Sequence, residues 1–106
     1  MGLVTMSFAQ FATQPVATNL EEVLGQIEYP VEARVNGIEG DVEINVFVSK
    51  DGQVIRHEFT AEINPCLKAS IDKVIQQLMF FPATDVNGEK VAGEVKIPVK
   101  FRLDIG

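Results

Sequence analysis

The sequence predicts an α+β domain, a three-stranded antiparallel sheet with one long helix and short N-terminal helices packed on one face. Three observations point there. Val42, Ile44, Val46 and Val48, and again Val95, Ile97, Val99, Phe101, Leu103 and Ile105, alternate with mostly polar residues, the period of a strand with one buried face. Between them, Leu67, Ile71, Val74, Ile75 and Leu78 fall on one face of a helix. A sheet and a helix that each present one apolar face bury them against each other. The chain's 106 residues, 46% of them apolar, supply one core and are too few for two full domains.

Residues 1–18 are expected to be a signal-peptide remnant and flexible leader, and residues 19–106 the domain. The chain opens on an apolar stretch ending in Ser7-Phe8-Ala9 before Gln10, an A-x-A-like cleavage pattern without a basic front region. A cytoplasmic chain with a frayed start is the alternative. Phe11 to Thr18, with Gln14-Pro15, reads as extended chain of no fixed structure. No stretch approaches the roughly 20 apolar residues of a membrane span.

Asn19-Leu20-Glu21-Glu22 has the form of a capping box, with Asn19 at the N-cap of a short helix that Gly25 ends. Pro30 opens a second short helix, stopped by Asn36-Gly37. The strand from Gly40 leads to Asp51-Gly52, expected as a hairpin turn with both residues at positive φ. A second strand then runs from Val54 to about Ile63, its inward parity shared by Ile55, His57 and Phe59. Asn64-Pro65 caps the long helix, which Met79-Phe80-Phe81-Pro82 ends, and Asn87-Gly88 marks a tight turn. In the last strand Pro98 has no N–H to give to a ladder, so this strand belongs at the sheet edge.

Charge narrows the function. There are 15 acids against 9 bases, a net −6, and sequence-independent nucleic-acid binding needs the opposite balance. Anionic membrane surfaces are disfavoured for the same reason. Residues 1–43 hold Glu21, Glu22, Glu28, Glu32, Glu39, Asp41 and Glu43 against Arg34 alone. From residue 90 onward, Lys90, Lys96, Lys100 and Arg102 face only Glu94 and Asp104, so a partner docking there would meet a mildly basic strand.

No enzyme is expected. His57 is the sole histidine and reads as a half-buried structural residue, without a nucleophile motif or further metal ligands beside it. Cys66, the sole cysteine, makes no internal disulfide. It stands where a helix N-terminus lowers a thiol pKa, but packing is the reading preferred. The glycines near residues 37–40 lack the strand–loop–helix context of a phosphate loop. No cofactor and no metal site follow from these residues.

Taken in order, Tyr29-Pro30-x-x-Ala33-Arg34, Gly37-Ile38-Glu39-Gly40-x-Val42-x-Ile44-x-Val46, Asp51-Gly52-x-Val54, Phe81-Pro82-Ala83, Asn87-Gly88-x-x-Val91 and Ile97-Pro98-Val99-x-Phe101-x-Leu103 resemble the C-terminal domain of TonB-type energy transducers over about residues 28–103. The resemblance implies a periplasmic domain that grips the TonB box of an outer-membrane receptor in energy-dependent transport, the box adding as a strand to the last strand. The implied contacts are Val95, Lys96, Ile97, Val99, Lys100, Phe101 and Arg102 on that strand, with the Val99 N–H expected to matter. A second region, Gln26, Ile27, Glu28, Tyr29 and Pro30, matches the segment that meets the box in the family. A full transducer also has a membrane helix and a Pro-rich spacer, so a longer natural chain would be anchored in the inner membrane. The alternative is a freestanding structural module, or one whose edge pairs with its own copy as a homodimer.

Overall fold

A computed structural model describes residues 13–103. The chain begins with strand β1 (Val16–Ala17), helix α1 (Leu20–Leu24) and helix α2 (Val31–Val35), followed by strands β2 (Gly40–Val48) and β3 (Val54–Phe59). Helix α3 (Pro65–Val74) continues into a 3-10 turn at Ile75–Gln77, and strands β4 (Phe80–Phe81), β5 (Ala83–Thr84), β6 (Lys90–Val91) and β7 (Gly93–Phe101) complete the fold. The class is α+β with antiparallel sheets. β3, β2 and β7 pair in that order, while β1 with β4 and β5 with β6 form two small ladders absent from the sequence reading.

The core follows from periodicity. β2 sends Val42, Ile44, Val46 and Val48 inward, β7 sends Ile97, Val99 and Phe101, and α3 with its 3-10 turn supplies Leu67, Ile71, Val74, Ile75 and Leu78. Val23 and Ala33 bring α1 and α2 to the same core. Five-residue helices do not hold on their own, so this burial is what keeps them. At the end of α2, Gly37 takes φ 66°, its N–H bonds the Arg34 carbonyl at 3.2 Å, and the Ile38 N–H bonds that of Ala33 at 2.8 Å. That pairing is a Schellman stop, and it turns the chain toward β2.

Several local expectations are corrected. Asn19 precedes α1 but does not cap it. Its Nδ2 donates to the Gln77 carbonyl at 3.0 Å and its Oδ1 accepts from the Met79 N–H at 2.9 Å, so it fastens the chain start to the exit of α3. The part of the leader from Thr13 to Thr18 is paired chain: Val16–Ala17 lie against Phe81–Phe80, and the Thr18 N–H bonds the Met79 carbonyl at 2.8 Å. The proposed signal remnant lies outside the described residues. β3 ends at Phe59, four residues early, and α3 spans ten residues before its pitch tightens.

The β2–β3 turn also differs. Only Gly52 has positive φ, 86°; the Gly52 N–H bonds the Ser49 carbonyl at 3.0 Å, and the Ser49 N–H bonds that of Gln53 at 2.8 Å. This is the three-residue loop in which a left-handed glycine forms a bulge. The register shifts between Phe47 and Val48, so Val54 faces Val48 and Ile55 turns outward to 57% exposure, away from the face of His57 and Phe59. Gly52 is also pressed against β4, where a Cβ would stand 2.1 Å from the Phe80 carbonyl oxygen. Gly88 has φ 80° with open space around it. Gly88→Ala should therefore cost only the left-handed conformation, about 1 kcal/mol, whereas Gly52→Ala must also displace β4 and should cost about 3 kcal/mol or more, as compared by urea unfolding of the two variants.

Candidate functional site

β7 pairs with β2 along its whole length, Gly93 with Val48 through Phe101 with Gly40, and among the described residues it has no second neighbour in its sheet. Pro98 lies opposite Glu43. Lacking an N–H, it occupies a non-hydrogen-bonded pair, with its main-chain groups turned away from β2. Alternation then directs the N–H and C=O of Glu94, Lys96 and Lys100 to the open edge, and those of Val95, Ile97 and Val99 toward β2. The N–H expected to matter at Val99 is thus committed to the sheet; those of Lys96 and Lys100 face outward. Among the described residues, no other element bonds the main chain of Lys96, Pro98 or Lys100.

The second region meets the edge at one end. After α1 the Gln26 N–H bonds the Val23 carbonyl at 3.0 Å and the Ile27 N–H that of Leu24 at 3.1 Å, carrying the chain around toward β7. Tyr29 fixes it there. Its hydroxyl donates to the Ile38 carbonyl, its ring meets Phe101 edge to face at 5.6 Å, and the Arg34 guanidinium lies 5.4 Å from the ring centre. The result is a groove of about 240 Å3 lined by Leu24, Ile27 and Tyr29 on one side and by Pro98 to Arg102 on the other.

This groove gathers Ile27, Tyr29, Val99, Lys100, Phe101 and Arg102 of the sequence-derived residues. Lys96 is on the open edge beyond it, and Val95 and Ile97 point toward the core. Gln26 and Glu28 are exposed on the adjoining loop, and Pro30 leads into α2. Leu24 is an addition to the residues expected from the sequence, and Pro98, expected there as a missing donor, lines the groove as well. Pro98 had a signal, its missing N–H, which says which parity of β7 faces outward; Leu24 had none beyond helix periodicity.

Residues 25–103 match the family described as Gram-negative bacterial TonB protein C-terminal. The chain belongs to the TonB C-terminal family. No curated protein matches it. TonB C-terminal domains are periplasmic, transport-associated, non-enzymatic modules that interact with outer-membrane receptors. Among the described residues of this TonB C-terminal domain, no helix is long and apolar enough to cross a membrane.

The end of β7 is clamped in this domain. Arg102 donates to Asp41 Oδ1 at 2.6 Å and to the Phe101 carbonyl at 3.0 Å, and the Leu103 N–H bonds Glu39 Oε2 at 2.7 Å. A larger groove, about 670 Å3, lies near the other end of β7 between Thr13–Pro15, Phe47, Ile55 and Ala92–Glu94. Among the described residues its only ionisable side chain is Glu94, and none of the residues that the resemblance implied lines it.

His57 and Cys66 each have an unforeseen partner. The His57 Nε2–H donates to Asp72 Oδ1 at 2.8 Å, tying β3 to α3, and Lys68 Nζ bonds Asp72 Oδ2 at 2.9 Å. Cys66 does not have the lowered pKa its helix position suggested: the Glu32 carboxylate, by hydrogen bond and charge, together with desolvation, pushes the thiol up. Partial burial pushes the Asp72 carboxyl up, but the hydrogen bonds from His57 and Lys68 and the two nearby positive charges outweigh it and hold the group below the usual carboxylate range. A depressed folded pKa stabilises the fold above the unfolded value, about 3.9, and that stability is lost as pH falls through the folded value. At neutral pH, Asp72→Asn should cost about 0.5–1 kcal/mol after solvent screening, and its deficit should shrink as pH falls below the unfolded value and through the lower folded one; urea unfolding at neutral and at acid pH measures this.

Proposed function

We propose that this TonB C-terminal domain binds the TonB box of an outer-membrane receptor in the periplasm, by adding the box as a strand to the open edge of β7, and so serves energy-dependent transport. The observation that carries the reading is the edge itself, a nine-residue strand with Pro98 next to its central residue and its outward main-chain groups at Lys96, Pro98 and Lys100 unbonded among the described residues. Long exposed edges invite aggregation and are normally covered. One kept open beside an apolar groove suits strand addition, where main-chain bonds give affinity and alternate side chains give selectivity.

In this arrangement the box exchanges hydrogen bonds with Lys96 and Lys100, and Pro98 offers only its carbonyl. Side chains on one face of the box enter the groove of Leu24, Ile27 and Tyr29. Tension along the box passes from β7 into the nine paired positions of β2, so the load is shared along the ladder rather than taken by one contact.

Titration with a TonB-box peptide, followed by calorimetry, tests this. Lys100→Pro removes an outward N–H and should weaken binding about tenfold with little loss of stability. Val99→Pro removes an inward N–H and should instead lower stability by about 3 kcal/mol. A folded Lys100→Pro variant that binds as the wild type does, or a domain that ignores the peptide and self-associates through this edge, would contradict the proposal.

A further inference from the structure

The charges along the open edge specify the segment that fits it. Glu94, Lys96, Pro98 and Lys100 share the solvent face of β7, opposite Phe47, Asn45, Glu43 and Asp41 of β2. The carboxylate opposite Lys100, Asp41, is already engaged by Arg102 at 2.6 Å. Lys96 faces a neutral asparagine. Glu43, diagonal to both lysines, and Glu94, two residues before Lys96, form no ion pair with either among the described residues. Two ammonium groups four residues apart, about 13 Å along a strand, thus stand at the open edge with no ion pair of their own among the described residues.

We propose that the edge selects an extended segment with acidic side chains four residues apart on its solvent face, beside Lys96 and Lys100, and apolar side chains between them on the face that meets Leu24, Ile27 and Tyr29. This rests on the strand-addition reading and names the chemistry of its partner. In an added strand, side chains of one face recur every second residue. The solvent-face positions therefore fall beside Lys96, Pro98 and Lys100 in turn. The first and third meet a cation, and the middle one, beside Pro98 and nearest Glu43, gains nothing from a negative charge. The alternate positions face the Leu24, Ile27 and Tyr29 side of the groove, which favours apolar side chains.

Opposite charges paired across neighbouring strands strengthen association by up to about fivefold each, and screening at an exposed edge reduces this. The test uses two blocked nine-residue peptides of alternating valine and threonine, one with glutamate at two threonine positions four residues apart, the other with glutamine there. Affinities are measured by fluorescence anisotropy with the wild type and with a Lys96→Gln/Lys100→Gln variant. The glutamate peptide should bind the wild type about fivefold more tightly at low salt. That preference should fall toward one in about 0.5 M salt and in the double variant. Equal affinity of the two peptides for the wild type would overturn the charge rule and leave strand addition standing. Failure of both peptides and of the box peptide to bind would overturn strand addition and the charge rule with it.

Discussion

The absence of a single N–H, at Pro98, organises the functional half of this molecule. A proline opposite Glu43 can sit in an antiparallel pair only where its nitrogen faces away from the partner strand. From there, alternation leaves no freedom: Val95, Ile97 and Val99 must give their main-chain groups to β2, and Lys96 and Lys100 must give theirs to the outside. The side-chain alternation of the same strand sends Val95, Ile97, Val99 and Phe101 into the core. The residues that anchor β7 and the residues that offer it to a partner are therefore two interleaved sets. One can be satisfied completely without consuming the other.

The rest of the fold holds that edge in place. β2 lies between β3 and β7, its four inward side chains are almost without solvent exposure, and α3 covers them. Tyr29, gripped by the Ile38 carbonyl, Phe101 and Arg34, sets the loop after α1 against the end of β7. Asn19 and the short β1–β4 ladder fasten the start of the described chain to the exit of α3. The exposed ion pairs contribute little stability individually. The pair of Arg102 with Asp41 matters more for what it leaves behind, since it removes the nearest counter-charge from Lys100.

The long-period features were legible in the sequence because their cause is local. The alternation of Val42 to Val48 and of Val95 to Phe101, the stripe from Leu67 to Leu78, and the edge position implied by Pro98 each follow from spacing alone. What escaped depends on contacts distant in sequence. A two-residue strand such as Val16–Ala17 carries no period, and Asn19 resembles an N-cap until its partners at Gln77 and Met79 are known. Ile55 left its expected face because the turn at Gly52 adds a bulge, and Cys66 lost its expected acidity to Glu32 on another helix. At the site, the two regions were nameable only through the family resemblance. The parity of the edge is legible from Pro98 itself, and it turns the Val99 N–H toward β2 rather than toward a partner.

The central claim is that a partner strand bonds the outward main chain of β7. Backbone amide NMR of the labelled domain, with hydrogen exchange measured before and after adding a TonB-box peptide, tests it most directly. The amides of Lys96 and Lys100 should exchange rapidly in the free domain and become protected with the peptide, while those of Ile97 and Val99 are protected throughout. Protection that leaves Lys96 and Lys100 unchanged, with peptide-induced shifts instead around Phe47 and Ile55 at the larger groove, would contradict it.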